Sequence, residues 1–454
     1  YMVSNILKYG TEINWGWNSM IGLRFVNEQR IGGQTNFNAD TDKGSDEVYG
    51  QTVNFNQPEI WTKTGYRLND QNNVVFYASG FHQNQKSYFG TVKYNAKQTN
   101  FYGNLQYEYG YGESSLKTGL SFRHLNLDED IAFTSNILDR TYAGNYFREE
   151  NIAGVFAENT WNLLDDKLTW IAGVRLDHHS EFGLEFTPRT LLKYDVMPNT
   201  VIRANIGTGW RTANLFSENI GLLVSSRDIV FKEALKPEKA LNTGINITQK
   251  INGDQVTGFF SADYYRTDFQ NQIFPDFDTD PTKVIIENFE AESVSNTFQA
   301  EIFLHFWEQL EFKTGYSFLD VYRKVDGEKT SLPFNPRHKV VTTLGYSPRS
   351  DRYRMDMNIH WFGQQRLPDT QSNPVEFQRP DYSEEYMLFN AQFTYNLKQF
   401  EFYAGVENMF DFRQDRPIIG WQDPFGPYFD TSSVWGPTRG RELYLGVRFS
   451  IPSD

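Results

Sequence analysis

The stretch NADTDKGSDE (38–47) concentrates side chains that could coordinate a metal ion. Its carboxylates are Asp40, Asp42, Asp46 and Glu47. Hard oxygen ligands at alternate positions around a glycine suit Ca²⁺. The full twelve-residue spacing of an EF-hand loop is absent, which favours a solvated acidic loop. A structural Ca²⁺ site is therefore the less favoured of the two interpretations, and the sequence indicates no other cofactor.

Two segments carry apolar and aromatic side chains that could bind a ligand. In the segment 413–441 these are Trp421, Phe425, Tyr428 and Trp435, accompanied by several arginines. Rings and guanidinium groups bury area and stack, so they suit a flat or hydrophobic ligand. The segment 214–231 (NLFSENIGLLVSSRDIVF) could contact a ligand or a lid protein resting on the outer face. Packing of one loop against another is the favoured alternative for both segments.

Four arginines, Arg175, Arg189, Arg203 and Arg211, are predicted to line an interior surface, because each alternates with apolar neighbours. Cross-strand pairing with carboxylates such as Asp177 and Asp195 is an equally favoured role for them. His178-His179 is interpreted as a surface pair rather than a metal site, since no His-x-x-x-His spacing accompanies it. No Ser-His-Asp order, glycine-rich phosphate loop or spaced carboxylate pair stands out, so the sequence does not indicate an enzyme.

Composition excludes several classes of protein. The chain has 454 residues, no cysteine and a net charge of −14. The absence of cysteine excludes disulfide scaffolds and thiolate chemistry, and the acidic balance argues against nucleic acid as a partner. No apolar run approaches the roughly 20 residues of a membrane helix. A membrane β-barrel remains, because its hydrophobicity is spread over alternate positions. Aromatic residues at 16% favour it.

Residues 187–211 show the period-two alternation of extended strands. The break at Met197-Pro198-Asn199 predicts a tight antiparallel turn between two strands. In the second strand, Ile202, Ile206 and Trp210 share one face, and Arg203 and Asn205 share the other. About nineteen segments of the chain have this character and the length of a barrel strand, and 284–305 is one of them.

The connections between these segments alternate between short and long along the whole chain. Long connections include 212–239 and 411–441, and short ones include 197–199 and 396–399. Two connections of the long series, near 85–92 and 181–185, are only moderately long. One end of the sheet therefore has tight turns and the other has long loops, which is typical of outer-membrane barrels with short periplasmic turns and long extracellular loops. A soluble all-β protein is the less favoured alternative. The face with Ile206 is predicted to contact lipid, and the face with Arg203 a wet lumen.

Strand arithmetic suggests a longer protein. If both termini of a barrel lie in the periplasm, its strand number is even. About nineteen strands plus three give 22, the size of plugged outer-membrane transporters. We therefore expect residues 1–454 to form the barrel part of a longer protein, with a plug domain and the first strands absent from this sequence.

Five stretches together resemble the barrel of TonB-dependent outer-membrane receptors. They are EENIAGVFAENTWNLLDDKLTWIAGVRLDHH (149–179), FTPRTLLKYDVMPNTVIRANIGTGWRTANLFSE (186–218), ALKPEKALNTGIN (234–246), VENMFD (406–411) and RELYLGVRFSI (441–451). The combination in this order is fairly specific, whereas any single stretch is weak. The plug and the short box that TonB pulls are not among the residues given.

The resemblance implies active, TonB-dependent import of a scarce large nutrient across the outer membrane of a Gram-negative bacterium. A metal chelate such as a siderophore or cobalamin is the expected cargo, bound by extracellular loops and the lumen. The alternatives are a passive porin and an importer of glycans or peptides that works with a surface lipoprotein. The implied partners are the TonB complex, the cargo, membrane lipid including lipopolysaccharide, and a lipoprotein lid.

Overall fold

The computed structural model describes residues 2–10, 16–136 and 138–451. Most of this part of the chain lies in β-strands, with one four-residue helix, α1 (Leu215–Glu218), and two 3-10 turns at Ile220–Val224 and Val375–Phe377. Among the described residues, no helix has the length and apolarity needed to cross a bilayer.

The strands are β1 (Met2–Gly10), β2 (Trp17–Gly33), β3 (Gly50–Arg67), β4 (Asn72–Phe89), β5 (Val92–Tyr111), β6 (Ser114–Phe133), β7 (Gly144–Leu163), β8 (Leu168–His179), β9 (Gly183–Met197), β10 (Thr200–Arg211), β11 (Asp228–Phe231), β12 (Glu238–Asn252), β13 (Val256–Asp276), β14 (Lys283–Phe289), β15 (Ser293–Phe306), β16 (Leu310–Val325), β17 (Glu328–Ser331), β18 (His338–Tyr346), β19 (Tyr353–Phe362), β20 (Tyr386–Leu397), β21 (Phe400–Glu407) and β22 (Glu442–Phe449).

Nineteen of these described strands form one antiparallel barrel wall, in which each strand pairs with its neighbour along the chain from β1 to β22. The other three lie in the connections. β11 pairs in parallel with β14, and β17 forms an antiparallel hairpin with the outer end of β16. The all-β barrel predicted from sequence is confirmed, as is the number of wall strands. The total of 22 for a complete barrel stays a prediction.

The connections alternate as predicted, with two differences at the long-loop end. There β4 and β5 meet in a two-residue turn at Gly90-Thr91, and β8 and β9 meet across 180–182. Gly90 has φ +55°, and a Cβ atom there would lie 2.7 Å from the Tyr49 ring. The residues 85–92 were interpreted as a moderately long loop. Instead both strands continue past the bilayer, because their polar residues still pair across the ladder.

One predicted strand, 284–305, is two strands in the structure. β14 ends at Phe289 and β15 begins at Ser293. The outer part of β13 pairs with β14, and the inner part pairs with β15. Both segments alternate, and periodicity alone does not reveal that they pair with different portions of one long partner.

The outward face of the wall changes from apolar to polar along the longest strands. On β5 this face carries Tyr107, Leu105 and Phe101 toward the short-turn end, and then Lys97 and Lys93 toward the loop end. The apolar part is about as long as the roughly 9–11 residues needed to cross a bilayer. The long strands therefore extend beyond the membrane at the loop end.

The buried apolar core lies at this loop end, on the interior face of the wall. Side chains of β4–β6 pack there against residues of the connections. The buried members include Phe89, Val92, Tyr94, Ile131, Tyr142, Leu215, Phe216, Leu222, Leu223, Ile229, Val284 and Ile286. The loops of this end thus form one packed unit with the upper wall, and this unit holds the candidate site.

Candidate functional site

The connection between β10 and β12 folds inward at the mouth of the barrel. Its helical turns, α1 and Ile220–Val224, bury Phe216, Leu222 and Leu223 against the interior face of the wall. Burial of a large apolar side chain contributes about 1.5–3 kcal/mol, so three such side chains hold this segment firmly. The apolar patch at 214–231 therefore packs within the protein, and it forms one side of the interior space.

A buried ion pair joins this connection to the last long loop. Arg227 Nε lies 2.8 Å from Asp430 Oδ2, and both side chains are less than a tenth exposed. Arg227 also donates hydrogen bonds to the carbonyls of Phe277 and Lys283. Ser226 supports the junction, since its amide donates to the Phe429 carbonyl at 2.8 Å. Three separate connections therefore meet at one guanidinium group.

Three of the four predicted ligand-binding aromatics serve this loop packing. Phe425 packs on Tyr49 with ring centroids 5.9 Å apart, and Tyr428 stacks on Phe377 at 4.8 Å. Trp435 lies 5.8 Å from the ring of Tyr386. Only Trp421 of the four is strongly exposed, at 58%. The ligand-binding role of all four aromatics stays a prediction, and Phe425, Tyr428 and Trp435 also pack loop against loop.

The four predicted interior arginines lie on the interior face, and each has a polar partner. Arg189 contacts Glu158 at 2.6 Å, and Arg203 donates to Asn246 Oδ1 at 2.9 Å. Arg175 Nη2 lies 2.6 Å from Asp177 Oδ1, and Arg211 pairs with Glu218 and Glu238. Only Arg175 and Arg211 of the four line a shared cavity.

This shared space, here called the ionic cavity, has a volume of about 300 Å³. Its charged lining residues are Arg123, Arg148, Glu150, Arg175, Asp177 and Arg211. Glu150 is almost fully buried, with Arg148 Nε 3.3 Å and Arg123 Nη2 3.5 Å from its carboxylate oxygens. Each arginine has a carboxylate partner, since Arg211 pairs with Glu218 and Glu238 outside the lining. The charges around the cavity are therefore balanced, and it offers a ligand both charged donors and charged acceptors.

His179 lies beside this cavity, fully buried, so the prediction of a surface histidine pair is wrong for His179, although His178 is exposed. Its Nδ1 accepts hydrogen bonds from the amides of Glu181 and Phe182, which places the ring proton on Nε2. Nε2 points to Glu150, 3.7 Å away. Alternation along β8 places His179 on the interior face, and this signal was available in the sequence.

Trp210 also differs from its predicted position on the lipid face. Its ring packs edge-on against the ring of His179 at 5.9 Å, and it lines the ionic cavity. The pairing of β10 with β9 ends at Gly207 and Arg189, so β10 has no β9 neighbour beside Trp210. The indole enters this gap, and alternation no longer separates lipid from interior there.

A second cavity, of about 480 Å³, adjoins the ionic cavity and shares Gln98 with it. Four side-chain amides line it, from Gln51, Gln83, Gln85 and Gln98. We call it the glutamine cavity. Its opposite side is formed by Ser217, Ile220 and Val224 of the infolded connection. Sequence reasoning missed this cavity, because glutamines on a lumen face look like ordinary solvated positions.

The acidic stretch at 38–47 does not form a metal site in the structure. In the described residues, no group of three histidine or acidic side chains is arranged to hold an ion. The carboxylate of Asp42 instead accepts hydrogen bonds from the Asn38 amide and the Thr41 hydroxyl, which close the loop on itself. These hydrogen bonds hold the pKa of Asp42 below its usual value. The Ca²⁺ interpretation is therefore not carried forward.

Alkaline titration tests the packing of the loop core at Tyr142, which lies between β6 and β7 and is 2% exposed. Burial raises the pKa of Tyr142 to about 12, against about 10 for an unfolded tyrosine. Its contribution to stability is therefore complete below pH about 10 and is lost as the pH rises through about 12. We expect Tyr142→Phe to remove one ionisation near pH 12 from an ultraviolet difference titration. Loss of one ionisation near pH 10 instead would show that Tyr142 is solvated.

Residues 4–409 match the family described as "TonB dependent receptor-like, beta-barrel". This chain belongs to that family. Its fold and its outer-membrane location, both predicted from sequence, are confirmed. As a member of the TonB-dependent receptor-like barrels, the chain places its long connections and both cavities at the extracellular end.

Two relatives with curated descriptions are similar to this chain over about two thirds of its length. The chain is 25% identical over 321 residues to the iron-regulated outer membrane virulence protein of Vibrio cholerae serotype O1, covering 66% of this chain and 46% of that protein. It is 23% identical over 343 residues to the ferric enterobactin receptor of Pseudomonas aeruginosa, covering 68% and 45%. The chain thus spans a little under half the length of these relatives.

Solved structures share the fold of this TonB-dependent receptor-like barrel. The copper transporter OprC superposes with a TM-score of 0.67 at 14% identity, covering 99% of this chain and 76% of that one. A mutant of the ferric enterobactin receptor PfeA from Pseudomonas aeruginosa gives 0.58 at 15% identity, covering 99% and 77%. At such identities the likeness concerns the fold alone.

Proposed function

We propose that this barrel serves the active, TonB-driven import of a metal chelate across the outer membrane. The observation that carries the proposal is the family match over 4–409, together with relatives named for iron regulation and for ferric enterobactin. The partners in this proposal are the TonB complex, reached through a plug domain, and the chelate itself. No lipoprotein lid or lipopolysaccharide contact forms part of it.

The mouth of the barrel supports binding before transport. The two adjoining cavities of about 300 and 480 Å³ fall in the size range of small-molecule sites. One is lined by charged groups and the other by amides and apolar side chains. Gln98 lines both cavities, so a cargo that extends past it would contact both at once. Two sets of contacts made by one molecule increase its affinity.

A passive channel is the alternative that the geometry disfavours. General pores need an open lumen, and they usually have about 16–18 strands. Here the segment 215–224 folds inward and is buried against the wall. Opening the mouth would expose this apolar surface, so an energy-coupled step suits the architecture better than free diffusion. A glycan or peptide importer shares this architecture and differs only in its cargo.

Iron uptake tests the proposal. The protein, expressed from its complete gene in a bacterial strain without other chelate receptors, is expected to import ⁵⁵Fe presented as a ferric chelate with saturable kinetics. Deletion of TonB from the same strain should reduce this uptake to the level of the empty vector. Liposome swelling by small sugars serves as the control for passive flow. Uptake that is unaffected by TonB and does not saturate would refute the proposal in favour of a channel.

A further inference from the structure

The glutamine cavity is built from the interior faces of three adjacent strands. Gln51 lies on β3, Gln83 and Gln85 on β4, and Gln98 on β5. Gln83 and Gln98 stand directly opposite each other in the β4–β5 ladder. Their side-chain amides therefore lie close together, and both residues are held by strands of the wall rather than by loops.

The hydrogen-bonding capacity of these amides is only partly used. Gln83 Nε2 donates to Gln85 Oε1 at 3.3 Å, and Gln85 Nε2 donates to Ser87 Oγ at 3.0 Å. The side-chain amide of Gln98 makes no hydrogen bond with any other described residue. Each amide offers two donors and a carbonyl with two lone pairs. Donors and acceptors thus remain available side by side at the point where the two cavities join.

The glutamine cavity has fewer charged side chains in its lining than the ionic cavity. In the described part of the chain, Arg30 is the only ionised side chain that lines it, and Arg30 already pairs with Glu28. An anion buried there would lose its hydration without gaining an unpaired cation, which is unfavourable. The ionic cavity, by contrast, is lined by four guanidinium groups and two carboxylates. The glutamine cavity is therefore suited to uncharged groups.

Apolar side chains complete the lining. Phe55, Phe89 and Tyr94 come from the wall, and Ile220 and Val224 come from the infolded connection. A ligand site with predominantly apolar walls and a few placed polar groups derives its affinity from burial and its orientation from hydrogen bonds. Side-chain amides match ligand groups that both donate and accept, such as amides and hydroxyls.

We propose that the glutamine cavity binds an uncharged arm of the cargo, rich in amide or hydroxyl groups, so that the preferred cargo is a neutral chelate. This inference rests on the proposed function and specifies its substrate class. Each hydroxamate carries one negative charge, so the complex of three hydroxamates with Fe³⁺ is neutral. A chelate formed by three catecholates carries three negative charges, and the glutamine cavity offers these charges only Arg30, which is already paired with Glu28.

Binding of two ⁵⁵Fe-labelled probes to outer membranes that contain the complete protein tests this inference. The probes are a neutral ferric trihydroxamate with a peptide backbone and a ferric tricatecholate. We expect the neutral probe to bind more tightly. The double variant Gln83→Leu/Gln98→Leu should weaken its binding by about 5- to 150-fold, since two hydrogen-bonding amides are lost at about 0.5–1.5 kcal/mol each.

Gln106→Leu provides the matched control. Gln106 also lies on the interior face of β5, eight positions from Gln98, and it lines neither cavity. This variant should bind both probes as the wild type does. Comparable membrane levels and heat-modifiable gel mobility must show that all variants fold, so that a loss of binding is not a loss of protein.

A gain of binding gives an independent readout. Gln98→Lys places a cation at the junction of the cavities, so it should raise the affinity for the tricatecholate and lower that for the neutral probe. Wild-type preference for the tricatecholate, or neutral binding within twofold of wild type in Gln83→Leu/Gln98→Leu, would overturn the inference and leave chelate import intact. Absence of binding and uptake for both probes would overturn the proposed function as well.

Discussion

Ile206→Arg is expected to prevent the barrel from assembling in the membrane. Ile206 lies on the outward face of β10 and is 46% exposed in the absence of lipid. An arginine on this face costs about 2–4 kcal/mol near the bilayer midplane, because its charge meets hydrocarbon. We expect the variant to lack the heat-modifiable form on gels and to unfold from liposomes at lower urea concentration than the wild type.

Asn205→Arg is the matched control for this substitution, because it introduces the same side chain one position away on the interior face. Asn205 donates to Asn242 Oδ1 at 3.2 Å, in a polar surrounding that can hydrate a guanidinium group. Asn205→Arg should assemble as the wild type does, and so should Arg203→Ala, which removes a lumen side chain. Equal defects in all three variants would contradict the assignment of faces.

Arg227→Met is expected to loosen the extracellular loops while the wall stays folded. The substitution leaves the buried carboxylate of Asp430 without its 2.8 Å partner. Removing one member of a buried ion pair costs about 3–5 kcal/mol. Hydrogen exchange should therefore accelerate at the loop amides that meet there, including that of Ser226, which donates to the Phe429 carbonyl. Amides in the wall ladder should keep their protection.

A double-mutant cycle measures the interaction energy between Arg227 and Asp430. Asp430→Leu alone should loosen the same loops, and Arg227→Met/Asp430→Leu should cost less than the sum of the two single variants, since no charge remains buried alone. Arg416→Met is the control, because Arg416 pairs with Asp415 at the surface of the same loop. An exposed pair contributes about 0–1 kcal/mol. Additive effects in the cycle would show that Arg227 and Asp430 are not coupled.

The pattern of the sequence was sufficient to predict the wall. Alternation along β8 and β10 gave the interior position of Arg175 and Arg203 and the outward position of Ile206, because a strand places successive side chains on opposite faces. Alternation also places Glu150 and His179 inside, although their burial against each other was not predicted. The family resemblance rests on stretches of this same wall.

Strand boundaries at the loop end were less predictable. β4 continues to Phe89 and β5 begins at Val92. Both strands therefore extend well past the apolar part of their outward faces. Above the bilayer the apolar-polar contrast of a strand reverses, because the outward face becomes polar at Lys93 and Lys97 while the interior face packs apolar side chains such as Tyr94. A pattern that reverses within one strand does not mark that strand as continuous. The two-residue turn at Gly90-Thr91 was consequently interpreted as part of a longer loop.

By itself, the sequence determined that this chain forms an antiparallel barrel wall with lipid on one face, since that property depends only on neighbouring positions within each strand. The tertiary structure alone decided what lies at the mouth. Arg227 and Asp430 are 203 positions apart, and Gln51, Gln83 and Gln98 come from three strands. Which distant residues meet depends on strand order, register and loop packing, and local periodicity carries no record of these.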